Sequence, residues 1–268
     1  MYGEVRGLLI VEPFNAVYLI FVGAVFALIT VFTYFLCKKP PKVRKKAMII
    51  FTSAVAVLLL AYKFTYRLDP EFIVDYPKYY PGEYTVWSEL PLNPCNIVLL
   101  LFPVALWKEN RYLLSFCVFM GIIGTSLALF MPQAGYAGYD VFRLHTFGFF
   151  LLHSTGVALP VSVCVLGLYR PRMGDVLRAA VVLAVTAAAA HLINVVLRST
   201  GLCDFANYYF TMDTENNPVL EFCFRILPVR GIYTIGTLAI FCPASALITL
   251  LCRAAEKIAQ KSKGAANI

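Results

Sequence analysis

The chain has 268 residues, of which 60% are hydrophobic and 14% charged, with a mean hydropathy of +0.74 and a formal net charge of +8. That balance lies well outside the range of a soluble domain. Eight cysteines make no disulfide framework here, because six of them (Cys37, Cys95, Cys117, Cys164, Cys242 and Cys252) fall in or beside apolar runs.

Seven apolar runs are candidates to cross a bilayer, at about 14–37, 47–66, 92–107, 112–132, 143–169, 176–198 and 231–252. Most reach the roughly 17–25 residues that a span needs, and 92–107 falls slightly short. The first run is too long, and too poor in preceding basic residues, for a cleaved signal peptide. No repeat or low-complexity tract interrupts the series. The expected fold is all-α: one polytopic transmembrane helical domain over 1–268.

Charge placement orients this domain. Segments 38–46, 108–111, 170–175 and 253–268 fall on one side and hold fourteen of the 23 Lys and Arg but three of the 15 Asp and Glu. Segment 38–46 alone carries Lys38, Lys39, Lys42, Arg44, Lys45 and Lys46. Such a bias makes the basic side cytoplasmic, or matrix-facing in an organelle, with the N-terminus outside and the C-terminus inside. The net charge then reflects topology and contact with anionic headgroups, and nucleic acid is not an expected partner. The endoplasmic reticulum or plasma membrane is the expected location, with the mitochondrial inner membrane as the alternative. Cys203 and Cys223 share the outer segment 199–230 and could form a disulfide if that side is oxidising.

Asn93, Pro94 and Cys95 set a thiol at the start of the short third run. Asn is a favoured N-cap and Pro a favoured first helical residue. Cys95 then falls in the first turn, where free backbone N–H groups and the helix dipole favour a thiolate. A run this short starts below the outer surface, so the preceding stretch 81–94 dips into the protein as irregular backbone. Such backbone is tolerated at membrane depth only where protein buries it or a wet cavity adjoins it.

Polar groups inside the other runs are functional leads, because burying them in a bilayer is costly. Counting 1.5 Å per residue from the basic boundary puts Cys95 about 18 Å up, and His153 and His191 each about 25 Å up. Lys63 lies at a similar height, and its default reading is a side chain that snorkels to the outer interface. His153 reads either as a base or as a hydrogen-bonding link between helices. His191, Asn194 and Arg198 share one face of the sixth run, where interhelical packing competes with a catalytic role. His145 is expected at the outer rim, in contact with solvent. Asn207, with Tyr208, Tyr209 and Phe210, reads as a lid or as an interfacial aromatic belt. No ligand spacing supports a metal site among the histidines.

The stretch Leu92-Asn93-Pro94-Cys95-Asn96-Ile97 resembles the motif that opens a helix in the eukaryotic transmembrane protein 164 family. Phe150-Leu151-Leu152-His153, with Pro160 seven residues on, resembles that family's mid-helix His followed by a Val-Pro segment. Ala206-Asn207-Tyr208-Tyr209, with Pro218 following, resembles the Asn-Tyr loop of the related bacterial YwaF-type membrane proteins. The resemblance runs over about 45–250. It implies a phospholipid-dependent acyltransferase with Cys95 as nucleophile and His153 as base. The bacterial branch usually has His where this chain has Asn93, and the eukaryotic motif has His in place of Asn96.

The leading expectation is therefore acyl transfer between membrane phospholipids through a Cys95 thioester. Asn93 and Asn96 would stabilise the oxyanion, and His191, Asn194 and Asn207 would position the substrate. No cofactor is required. The alternative is a non-catalytic accessory or structural subunit of a larger membrane protein complex. A seven-helix receptor lacks its usual motifs here, and a transporter would be expected to show an inverted repeat.

Overall fold

The computed structural model describes residues 9–132 and 136–265. In chain order the elements are β1 (Ile10–Val11), α1 (Ala16–Cys37), α2 (Pro41–Thr65), α3 (Pro70–Tyr79), α4 (Pro94–Lys108), α5 (Arg111–Phe130), β2 (Tyr139–Asp140), α6 (Leu144–Val165), α7 (Gly174–Ser199), α8 (Pro218–Ile226) and α9 (Leu238–Ala265). Among the described residues, six helical stretches are long and apolar enough to cross a membrane. The fifteen residues of α4 form a shorter apolar helix. They cover about 22 Å of a roughly 30 Å hydrocarbon core, so α4 cannot reach both surfaces unless it is extended. The result is an all-α polytopic membrane protein.

Each long helix lies on one of the predicted runs, with one informative difference. α2 begins at Pro41, so the basic stretch expected as a loop is largely the first turns of a helix. Proline at the first helical position needs no N–H partner, and lysines are good helix formers once a nucleus exists. Two short helices and the strand pair were not expected from hydropathy. Both short helices begin at an Asx-Pro pair: Asp69 Oδ1 accepts from Phe72 N at 3.0 Å, and Asn217 Oδ1 from Val219 N at 3.0 Å.

Ion pairs close the basic end. Arg111 and Arg178 converge on the fully buried Asp175, with Arg178 Nη1 at 2.7 Å. Lys45 pairs with Glu109, and Arg170 with Glu256. The Arg44 guanidinium donates to the carbonyls of Cys37 (2.6 Å), Lys39 (2.7 Å) and Leu166 (3.2 Å), so one side chain caps the ends of α1 and α6. At the opposite end β1 and β2 pair antiparallel, Ile10 opposite Asp140, with α3 alongside in sequence between α2 and α4.

The core is aromatic where α4, α5 and α6 meet: Phe102, Phe116, Phe119 and Phe150 are fully buried, with Leu159 among them. α6 is the most enclosed of the long helices, while α7 and α9 leave most of their surface outward. α5 and α6 approach closely because Gly156 has no side chain. A Cβ there would meet Thr125 Cγ2 at 2.6 Å.

The charge bias predicts that the end carrying the first turns of α2 faces the cytoplasm or matrix. A Lys42→Cys variant should resist a membrane-impermeant maleimide in sealed, right-side-out vesicles and react once they are permeabilised. Labelling in sealed vesicles would reverse the orientation.

Candidate active site

Three Asx-Pro pairs start helices in this chain, and the one before Cys95 behaves differently from the other two. Asn93 has extended backbone (φ −69°, ψ 152°) and its carbonyl receives Asn96 N and Ile97 N at 2.9 and 3.0 Å. Its side chain makes no cap. Instead Asn93 Oδ1 accepts from Tyr209 N at 3.2 Å, 116 residues away in the chain. The first turn of α4 thus gives up a capping bond to dock a distant loop.

Cys95 follows in that turn, half-buried. The Asn96 carboxamide oxygen lies 4.0 Å from its sulfur, a weak contact. Among the described residues neither Asn93 Nδ2 nor Asn96 Nδ2 has a hydrogen-bond acceptor.

His153 is buried on α6, its ring packed on Phe149 at 4.1 Å between centroids. Its Nδ1 lies 2.7 Å from the Phe149 carbonyl oxygen. A carbonyl only accepts, so Nδ1 carries the hydrogen and the neutral ring keeps its lone pair on Nε2. That is the tautomer a general base needs, fixed by the helix itself. Cys95 and His153 share no hydrogen bond with each other among the described residues.

α2 packs against both α4 and α6 and brings Lys63 to this region. Lys63 does not snorkel outward. Its Nζ lies 2.6 Å from Glu89 Oε2, with the two side chains 12% and 8% exposed. The ammonium also sits 4.7 Å from the Tyr66 ring centroid. Glu89 in turn accepts from the Tyr76 hydroxyl at 3.3 Å. Burial, and after it the Glu89 carboxylate, pushes the phenols of Tyr76, Tyr80 and Tyr136 far above the ordinary phenolic range, so they remain neutral.

The stretch before α4 is irregular, as expected, with a single 3₁₀ turn at Val86–Ser88. A second irregular stretch, between α7 and α8, is clasped to it. The Tyr208 hydroxyl donates to Trp87 O at 2.5 Å and accepts from Leu90 N at 2.9 Å. Tyr209 and Phe210 hold left-handed backbone (φ 59° and 54°), which non-glycine residues adopt only when surroundings require it. Tyr209 is buried.

His191, Asn194 and Asn207 hold this second loop. Asn194 Oδ1 accepts from Tyr208 N at 2.9 Å, while its Nδ2 donates to Tyr208 O at 2.8 Å and Thr211 Oγ1 at 2.9 Å. His191 Nδ1 lies 3.1 Å from Thr211 Oγ1. The other face of that ring is covered by Gly231, at φ +78°, where a Cβ would sit 2.9 Å from His191 Cε1. Asn207 Oδ1 accepts from Met212 N and Asp213 N at 2.9 and 3.1 Å, closing the loop on itself. These three residues therefore meet Cys95 only through the loop, by way of Tyr209 and Asn93.

Two further expectations change. His145 is 1% exposed rather than at a wet rim, its Nδ1 3.0 Å from Asp69 Oδ2 and its ring against Phe72. Folding α3 over it removes the solvent that hydropathy alone would grant. Cys203 and Cys223 are both buried free thiols, each packed in a different cluster. Sequence reading overlooked Glu89, although its place in the stretch expected to dip inward, at the level of Lys63, was the available signal.

The chain matches the model of the TMEM164 family over residues 11–249. No curated protein and no solved structure matches it. The protein belongs to the TMEM164 family.

Proposed function

We propose that this integral membrane protein is a phospholipid acyltransferase that works through a thioester on Cys95. The observation that carries the reading is the complementary state of two side chains. Cys95 stands half-buried in the first turn of α4, with the Asn96 carboxamide oxygen 4.0 Å from its sulfur. His153 has its Nδ1 hydrogen committed to Phe149, leaving Nε2 to take a proton.

The chemistry balances without a cofactor. The Cys95 thiol gives its proton to His153 Nε2, and the sulfur attacks the carbonyl carbon of a lipid ester. Negative charge on the carbonyl oxygen is met by the Asn93 and Asn96 carboxamides and the N–H groups of the first turn. The ester C–O bond breaks, the leaving lysolipid oxygen takes the proton from His153, and the acyl group stays on sulfur. An acceptor hydroxyl then loses its proton to Nε2, attacks the thioester and expels the thiolate. A substrate whose chains stay in the bilayer suits a nucleophile held at membrane depth. The endoplasmic reticulum or plasma membrane supplies such lipids.

The test is acyl trapping. Native membranes or proteoliposomes of the full chain are incubated with phospholipid and quenched in acid, and the peptide containing Cys95 is analysed by mass spectrometry. A fatty-acyl mass on Cys95, removed by neutral hydroxylamine, is the expected result. Unmodified Cys95 under conditions where the protein is folded would retire the enzyme reading in favour of an accessory subunit.

A further inference from the structure

α8 carries apolar residues on two separate faces, although packing accounts for only one. Leu220 and Cys223 are buried with Tyr233, and the Phe224 ring meets the Tyr233 ring edge-on at 5.3 Å. At about 100° per residue, Val219, Phe222 and Ile226 form a second stripe. Nothing among the described residues covers it: Phe222 is 64% exposed and Ile226 68%. Glu221 and Arg225, one turn apart, mark a third sector that is charged.

The level of α8 is fixed by what it packs on. Its partner is the 3₁₀ turn Tyr233–Thr237, which runs straight into α9 as one apolar stretch long enough to span a bilayer. The two approach closely because Gly236 has no side chain. A Cβ there would meet Cys223 Sγ at 2.7 Å. Arg253 is the first charged residue after Arg230. Counting about 1.5 Å per residue up from it, Tyr233 stands about 30 Å higher, at the far limit of the hydrocarbon core. α8 therefore lies at the membrane surface opposite the basic end. Ile232 and Ile235 beside that turn are also exposed, so apolar surface continues from α8 onto the span.

We infer that α8 is an interfacial helix, with Val219, Phe222 and Ile226 sunk into the outermost acyl-chain layer of that leaflet and Arg225 reaching up to lipid phosphates. The three sectors fit this placement. A helix lying in the interface turns one face to the acyl chains and one to headgroups and water, and here the third turns sideways to protein. Arg225 is exposed and makes none of the ion pairs among the described residues, so its guanidinium is available to a phosphate. A protein partner would cover the stripe equally well, but it would not account for a position at bilayer level, where lipid is already present. α8 is also joined to the loop that docks on the start of α4. The Thr214 hydroxyl donates to the Glu221 carboxylate, and the Tyr233 hydroxyl to the Phe210 carbonyl. The lipid contact thus anchors that loop, whether or not the protein transfers acyl groups.

The experiment places the photoreactive residue p-benzoylphenylalanine at Phe222, Arg225 or Ile226, one at a time, in the full chain in native membranes. Leu247, exposed within the span of α9, is the positive control. After irradiation, adducts are identified by mass spectrometry and cross-linked polypeptides by gel. All of these side chains are exposed, and thermal unfolding verifies that each variant keeps its fold. Positions 222 and 226 should carry phospholipid adducts at a yield similar to position 247, and position 225 about fivefold fewer, because its ring stands among headgroups and water. A cross-link from 222 or 226 to a polypeptide, a second copy included, overturns the inference. So does the absence of lipid adducts there while position 247 gives them, or labelling at 225 equal to that at 222.

Discussion

Cys95→Ala should reduce acyl transfer by at least about 10³-fold, the scale on which enzymes lose rate when a nucleophile is removed. The reason is chemical rather than structural. Among the described residues the Cys95 thiol makes one weak hydrogen bond, at 4.0 Å to Asn96 Oδ1, and an alanine methyl is close to it in size, so little packing is lost. The helix start is fixed by the Asn93 carbonyl and by Pro94, neither of which depends on the thiol. Cys95→Ser should retain a trace of activity, since a hydroxyl is a far poorer nucleophile at neutral pH. His153→Gln should cost about 10²–10⁴-fold, the contribution of a positioned general base. Initial rates in proteoliposomes, with thermal unfolding as a control, measure both. A folded Cys95→Ala protein that keeps a tenth of the wild-type rate would exclude the thioester route.

Glu89→Ala should lower stability by about 3–5 kcal/mol, the cost of stranding one partner of a buried ion pair. Lys63 is 12% exposed and has no second carboxylate within ion-pair distance among the described residues. Tyr76 would also lose its acceptor. Much of the deficit should return in the Lys63→Met, Glu89→Leu double variant, because an apolar pair of similar volume carries no desolvation cost. Unfolding in mixed micelles, read by tryptophan fluorescence or by a pulse-proteolysis midpoint, gives the comparison. A loss within about 1 kcal/mol would mean that Glu89 is hydrated as an exposed pair would be.

The long helices were legible because each is a continuous apolar run, and a bilayer selects on length and hydropathy alone. Cys95 and His153 stood out as candidates for a related reason: a thiol at a helix start and an imidazole inside an apolar run differ from their neighbours. The small elements were less legible, although Asp69-Pro70 and Asn217-Pro218 carry the same start signal as Asn93-Pro94. What separates the third pair from the other two is a tertiary contact. The Asn93 side chain leaves its own helix for Tyr209 N, and no local pattern records that choice. Glu89 was hidden in the same way, since it lies in an irregular stretch and its partner is 26 residues earlier, on α2. The roles of His191, Asn194 and Asn207 read ambiguously because a stripe of polar residues on a helix face looks alike whether it meets substrate or backbone. Here it meets the backbone of one loop.

The Tyr208 hydroxyl spans two segments 118 residues apart, and Asn93 fastens the same two a few residues on. Helix ends ordinarily fray one residue at a time, exchanging their amide hydrogens well before the interior does. The start of α4 cannot do so alone. Releasing it means breaking the Asn93 bond to Tyr209, and Tyr209 belongs to a loop also held by Asn194 from α7. The amides of Leu90, Tyr208 and Tyr209 should therefore exchange with solvent deuterium in a single cooperative opening, slower than their place in connecting segments would suggest. The ground around Cys95 is in this sense a small folding unit of its own, assembled from pieces of chain that meet only in the finished protein.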